Sequence, residues 1–501
     1  MLKIRDLQFE RVGSDRKVSI RQGISDCVAT LQKASGKLTL GTACSGTDVI
    51  VHIVADLLAP LWKASFGICL EVEHSFACEL VHWKRDWILA HFNPRFLFED
   101  LLMIGEDTAF DIRSGKMQSI PSVVGFACGI ECDTLSGLNQ NQDLECVETA
   151  TGKTGTTFEG CRLFVERHQP WFFLFENIKN LGAVSNRPAS ASSSQPKSAL
   201  QLIAEWANSQ GYLVQTMLLD CSDFGVPQSR PRYYILGFKV APPNSGLDQS
   251  VESFSMPPWF SKMSSLVNEM QVPQQPVKDF LLPQSAHCTA EPARQDPTSP
   301  SKKQKGEKSY EVEHLCKYES CGLTWPPVFS QQFIEKVHGM TQRKKELIHY
   351  YQQCLVTADI DDQEECYLDI NMSIGWVRPR SGMLPCIVSS SHIWQLHACK
   401  EITGEELLCL QGFSHQLQAT VTPPACGKIF TQVSKIDLAG NAFNGAVLMA
   451  VLTAALSTYP WSHYMTKHID ADETLDDDGF SIETYERDEN DSNDLDDLLL
   501  S

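Results

Sequence analysis

Residues 37–240 predict an α/β fold built on a doubly wound parallel sheet, and three observations carry that expectation. Apolar runs of strand length alternate with longer stretches of helical spacing. Each early run stops on a small-residue turn or a carboxylate. The chain is long, with 501 residues of which 43% are hydrophobic, enough to bury a large core.

The elements follow in order. KLTLGTACSG reads as a strand entering a turn of small residues, and DVIVHIVADLLAPLW follows with helical spacing. FGICLEVE is a second strand ending at Glu73, and FLFED a third ending at Asp100. SVVGFACGIEC is a fourth, running into a loop at Cys132, and PWFFLFEN a fifth, finishing on Glu176 and Asn177. YLVQTMLLD and YYILGF complete the set. In such sheets ligands bind beyond the carboxyl ends of strands. Glu73, Asp100, Cys132 and Glu176 are therefore candidate site residues on placement alone.

Two segments interrupt the pattern. Residues 186–199 are rich in Ser, Ala and Pro and predict a mobile surface loop. Residues 241 to about 310 are rich in Pro, Ser and Gln and predict a poorly ordered linker. Regular structure resumes near WPPVFSQQFIEKV, and RKKELIHYYQQCL has the spacing of an amphipathic helix. Towards the end, EITGEELLCLQGF and GNAFNGAVLMAVLTAALSTY predict two helices, the first opened by a Thr403–Glu406 capping box.

The net charge of −20 is unevenly spread. Asp470–Ser501 holds 14 acidic residues and one basic residue, a solvated tail, and leaves a body of −7. A nucleic-acid groove would then rest on local clusters of Lys and Arg. Arg343-Lys344-Lys345 and Arg378-Pro379-Arg380 are the candidates. The 18 cysteines form no Cys-x-x-Cys pair, which fits reduced, buried thiols and no metal site. No apolar run of about 18 residues suggests a membrane span, and the charged N-terminus does not read as a signal peptide.

Several segments join into one chemical pattern. Gln228-Ser-Arg230-Pro-Arg232 follows Gly-Val-Pro; arginines two apart on extended chain share a side and can meet a base, phosphates or carboxylates. Glu176-Asn177-Ile178 closes an apolar strand with a carboxyl group suited to proton exchange. Gly129-Ile-Glu-Cys132-Asp-Thr-Leu-Ser136 puts a nucleophilic thiol beyond another. Cys44-Ser45-Gly46-Thr47-Asp48 is a turn that lets a ligand approach the backbone, and Gly440-Asn441-Ala442 lies near the end.

In order and spacing these motifs resemble the cytosine-5 DNA methyltransferases, over about 37–240 and 376–460. The resemblance implies a Rossmann-like methyltransferase sheet with a smaller, irregular target-recognition domain. It implies methyl transfer from S-adenosylmethionine to carbon 5 of cytosine in DNA through a covalent cysteine adduct. Cys132, Glu176, Arg230 and Arg232 would be catalytic. Cys44, Ser45, Gly46, Thr47, Glu73, His74, Asp100 and Asn441 would bind the cofactor, and Gln228 and Ser136 the nucleic acid. The chain departs from the family with Glu131 for Pro and Asp133 for Gln, carboxylates that disfavour a thiolate. Cys128, in Gly-Phe-Ala-Cys, is a rival nucleophile, but it lacks the Ser four residues on and lies within the strand.

The expected divisions are an N-terminal extension (1–36), a first catalytic part (37–240), a variable target-recognition region (241–380), a second catalytic part (381–465) and an acidic tail (466–501). DNA is the expected partner, a monomer the expected state and the nucleus the expected compartment. Transfer-RNA methylation and a catalytically inactive, nucleic-acid-binding regulator are the alternative readings.

Overall fold

A computed structural model describes the chain apart from residues 138, 140, 185–195, 244–256, 283–306, 358–364, 415–417, 419–429 and 466–501. Most of the expected loop at 186–199, much of the 241–310 linker and the acidic tail lie outside the described residues.

Two helices open the chain, α1 (Leu2–Arg11) and α2 (Ser14–Ala34). Strand β1 (Leu38–Ala43) runs through the turn at 44–48 into α3 (Val49–His52), which continues through a wider π-turn into α4 (Ala59–Phe66). Then follow β2 (Val72–Cys78), α5 (His82–His91), β3 (Phe96–Phe98) and a side hairpin of β4 (Thr108–Asp111) and β5 (Lys116–Ser119). Strand β6 (Gly125–Gly129) leads through α6 (Cys146–Thr149) and α7 (Gly152–His168) to β7 (Phe172–Ile178). Helix α8 (Ala199–Ser209), β8 (Tyr212–Asp220) and β9 (Pro231–Lys239) complete the sheet.

The strand order is β3-β2-β1-β6-β7-β9-β8. Six strands run parallel, and β9 alone runs against its neighbours β7 and β8. The cause is local. Only residues 221–230 join β8 to β9, too few for the crossover that a parallel pair needs. The chain winds from β1 towards β2 and β3, then returns to add β6 on the other side of β1. The switch point between β1 and β6 is where this topology opens a crevice.

One face of the sheet packs Leu38, Leu40 and Leu236 against α2, α9 (Pro258–Glu269) and the last helix; the other packs Phe76, Phe126 and Phe175 against α7 and α8. Helix α9 falls inside the expected linker. Its Trp259, Phe260, Met263, Leu266 and Val267 recur at helical spacing and are all buried.

The smaller unit has its own core. It comprises α10 (Glu307–Ser320), α11 (Gln331–Lys336), α12 (Gln342–Thr357) and a sheet in the order β11 (Arg380–Ser381), β10 (Cys366–Asp369), β12 (Ile393–Gln395), β13 (Lys400–Glu401). Helix α12 is the amphipathic segment expected from the sequence.

Among the described residues, α13 (Gly404–Gln411), α14 (Gln432–Asn441), α15 (Gly445–Thr458) and a short helical stretch at 461–465 close the fold. Both hydrogen bonds of the Thr403–Glu406 capping box form. Gly440 and Asn441 end a helix of their own rather than only preceding α15. Val49–Phe66 and Gln432–Thr458 are long and apolar enough for membrane spans, against the sequence expectation, but 94% of the second segment's most apolar window is buried in this core.

Candidate functional site

The carboxyl ends of β1, β6 and β7 lie side by side, because Ala43 pairs with Cys128 and Gly129 with Glu176. Beyond them sit the turn at 44–48, the Cys132 loop and the Glu176 carboxyl group.

Cys132 lies three residues past β6 and is half-buried. Burial pushes its thiol up, Glu176 adds to this, and Arg232 and Arg230 pull the other way. Asn177 holds the loop, its Nδ2 donating to the Ile130 carbonyl at 3.0 Å. Asn180 does the same at Leu135, also at 3.0 Å. Glu131 and Asp133 are exposed, and Asp133 pairs with Lys153 at 2.9 Å. Cys128 is different. It is fully buried within β6 in a cluster of thiols with Cys44, Cys78 and Cys161, and burial first, then the thiol of Cys161, pushes its pKa well above the ordinary value.

Glu176 faces Arg232 from the next strand, Oε1 to Nε at 3.1 Å. The approach is an ion pair without hydrogen-bond geometry, because Oε1 has no hydrogen-bond partner among the described residues. Arg232 Nη2 also reaches Cys386 Sγ at 3.8 Å. Thiol, carboxylate and guanidinium thus share one corner, as the motif spacing leads one to expect.

Arg230 does something else. It is 4% exposed and donates to the carbonyls of Ile387 at 2.7 Å, Gly440 at 3.0 Å and Ala442 at 2.9 Å. Its Nη1 and Nη2 brace two chain segments while Nε has no hydrogen-bond partner among the described residues, so a group expected to meet a base or phosphate is turned inward. Gln228 is corrected as well: it is fully buried, with Oε1 accepting from Gln411 Nε2 at 3.1 Å, and cannot contact nucleic acid. Ser136 is half-buried at the end of the Cys132 loop.

The turn after β1 winds through left-handed backbone at Cys44, Gly46 and Asp48, with φ of 46°, 65° and 52°. A Cβ on Gly46 would lie 3.4 Å from that of Asn441, so the turn and the closing Gly-Asn face each other. Asn441 is oriented by Asp437, its Nδ2 donating to the Asp437 carbonyl at 2.9 Å. Ser45 bonds Asp48, whose carboxyl is buried and pushed up to about 6 by that burial. Thr47 Oγ1 is buried without a partner among the described residues.

Two cofactor expectations are corrected. Glu73 stands near the start of β2, not at its end, and pairs with Lys37 at 3.2 Å. His74 lies inside the sheet beneath the turn, its Nε2 3.0 Å from Thr42 Oγ1 and 3.7 Å from Asp48, so it cannot pack on an adenine. Burial pushes it down to about 4. The acid at the carboxyl end of β2 is Glu79, which sequence reasoning missed. It is 6% exposed, raised by burial, and accepts from the Val81 amide at 3.0 Å. FGICLEVE and VEHSFACE both read as strand-then-acid, and periodicity alone does not choose between them. Asp100 does lie just beyond β3, exposed, accepting from the Leu102 amide at 2.9 Å.

The proposed phosphate contacts also divide. Arg343 donates to the Met372 and Ile370 carbonyls, both at 2.9 Å. Lys344 is buried with Nζ 3.1 Å from His392 Nδ1, whereas Arg378 and Arg380 are exposed.

Residues 99–456 match the family model described as C-5 cytosine-specific DNA methylase. A protein of Cryptococcus neoformans named DNA (cytosine-5-)-methyltransferase DMT5 is 25% identical over 461 residues, covering 86% of this chain and 18% of that protein. A Verticillium dahliae protein of the same name is 20% identical, covering 87% of this chain and 20% of that one. The orphan methyltransferase M.SPBetaI of Bacillus phage SPbeta is 34% identical over 95 residues, 19% of each chain. The chain thus spans about a fifth of the length of the two fungal relatives.

Proposed function

The chain belongs to the C-5 cytosine-specific DNA methylase family, and from that premise we propose that it transfers a methyl group from S-adenosylmethionine to carbon 5 of cytosine in DNA. The observation that carries the reading is the corner where Cys132, Glu176 and Arg232 meet at the ends of three adjacent strands.

The cofactor would lie at the β1–β6 switch point. The turn at 44–48, with its unpartnered Thr47 hydroxyl, and Asn441 would hold its methionine end, Glu79 its ribose hydroxyls and Asp100 its adenine. Bound there, it would supply an electrophilic methyl group to carbon 5. The chain's own residues do the rest. Cys132, as thiolate, adds to carbon 6 of a cytosine turned out of the duplex. The Glu176 carboxyl shares a proton at N3 as electron density enters the ring, and Arg232 holds Glu176 in place and offsets the negative charge. Loss of the proton at carbon 5 and of the thiolate from carbon 6 restores the aromatic base.

The test is tritiated methyl transfer from labelled cofactor to unmethylated duplex DNA and, in parallel, to transfer RNA. The expected result is transfer to DNA that Cys132→Ser abolishes. Transfer to RNA alone, or cofactor binding with no transfer to either, would overturn the reading.

A further inference from the structure

In the smaller unit, the end of α10 and one face of α12 bring two thiols together at the surface. Cys321 follows directly on α10 and is exposed, and Cys354 lies towards the end of α12 and is half-buried. Tyr350 stands between them. It precedes Cys354 by one helical turn, so the two share a face of α12. Its Oη is 3.0 Å from Cys321 Sγ, and it hydrogen-bonds Cys354 as well. The two thiols also hydrogen-bond each other, although α11 separates them in the chain. Cys321 is held in this place from its own side. Its amide donates to the Tyr318 carbonyl at 3.1 Å, and the fully buried Tyr318 donates its Oη to the Glu346 carbonyl of α12 at 2.7 Å.

The two thiols differ in character. The Tyr350 hydroxyl, aided by Ser320 and Cys354, holds Cys321 below the ordinary thiol range, and Lys317 one turn back on α10 adds to this. Burial pushes Cys354 up, as it does Cys78, Cys128 and Cys221. Cys321 is therefore the readier thiolate, open to solvent, with a second thiol in contact to resolve whatever forms on it. The sequence expectation of buried thiols does not hold for this pair.

We propose that Cys321 and Cys354 form a peroxide-sensitive modification site, closed by a disulfide between α10 and α12. The Cys321 thiolate attacks one oxygen of hydrogen peroxide. The O–O bond breaks, the sulfur becomes a sulfenic acid, and the departing hydroxide takes the proton that the thiol gave up. Cys354 then attacks that sulfur. An S–S bond forms, the S–O bond breaks, and the hydroxyl leaves with the Cys354 proton as a second water. Both sulfurs are oxidised and the peroxide is reduced. The link fastens α10 to the helix whose Arg343, Tyr351 and Gln352 hold the Met372, Val377 and Leu396 carbonyls. The site lies on its own elements and does not depend on the methyl-transfer reading.

The test treats the reduced full chain with hydrogen peroxide at neutral pH, alkylates the remaining thiols and reads the digest by mass spectrometry. The expected product is a peptide pair joined through Cys321 and Cys354, released by dithiothreitol and absent from Cys321→Ser and Cys354→Ser. In Cys354→Ser, dimedone captures the sulfenic acid on Cys321. Tyr350→Phe keeps the ring and removes the hydroxyl. Alkylation of Cys321 by iodoacetamide then slows about three- to tenfold at neutral pH and its pH profile moves upward, a change that a packing role alone would not produce. Peroxide that leaves Cys321 reduced, carries it to sulfinic acid with Cys354 still free, or joins it to any other cysteine overturns the proposal.

Discussion

Cys132 and Cys128 stand four residues apart in different surroundings, and chemistry separates them. Cys132 lies half-buried in a loop between a carboxylate and a guanidinium, while Cys128 is closed inside β6 among other thiols. Cys132→Ser is expected to abolish covalent trapping on a 5-fluorocytosine duplex and Cys128→Ser to retain it, as a denaturing gel will show. Because burial and Glu176 raise the Cys132 thiol and the thiolate is the attacking form, kcat/KM should rise with pH through neutrality and level off only above the ordinary thiol range. A profile flat from pH 6 to 9 would rule that out. Asp48 makes a second pH statement. Its folded pKa of about 6 exceeds the ordinary aspartate value of about 3.8, so its contribution to stability is fully present below that value and lost as pH rises through about 6. The loss is on the order of 3 kcal/mol. Asp48→Asn should flatten that decline in urea-melt stability between pH 4 and 6. Arg230 shows what a motif hides. Gln-x-Arg-x-Arg gives two arginines reaching the same 386–387 segment, but not that one binds only carbonyl groups. Arg230→Ala removes charge-assisted bonds to three carbonyls and should lower stability by about 3 kcal/mol.

At the scale of elements, the strands and caps were legible and their partners less so. Alternating apolar runs located six of the seven strands because burial on both faces leaves a clear hydrophobic signature. The direction of β9 was not legible, since it depends on which neighbour the chain returns to. The register of β2 was missed by six residues, which moved the strand-end acid from Glu73 to Glu79. Helix α14, on the 432–441 segment, was missed outright. Helix packing supplies a further test. A Cβ added to Gly23 on α2 would lie 1.7 Å from the carbonyl oxygen of Ser457 on α15. That obstacle is backbone and cannot step aside. Gly23→Ala should force the two helices apart and lower the midpoint of thermal unfolding by several degrees, since overpacking costs roughly 1–3 kcal/mol.

Over the whole molecule, the stretch expected as an N-terminal extension is part of the main core. Ile4, Val12, Ile20, Ile24 and Leu31 are each no more than 2% exposed and join the cluster that holds α15 and one face of the sheet. A chain lacking residues 1–34 should therefore lose its cooperative thermal transition, because α15 would present its apolar surface to water. The sequence by itself determined the α/β class, most strands, the capping box and the set of residue types the chemistry needs. Each of these follows from local periodicity or from short motifs whose members are bonded neighbours or nearly so. Only the tertiary structure decided which members of those motifs meet. It brought Cys132, Glu176 and Arg232 together, turned Arg230 and Gln228 inward, replaced Glu73 by Glu79 and set Cys321 against Cys354. The physical reason is that burial and hydrogen-bond partners are set by segments far away in the chain: the carbonyl groups that claim Arg230 lie more than 150 residues beyond it.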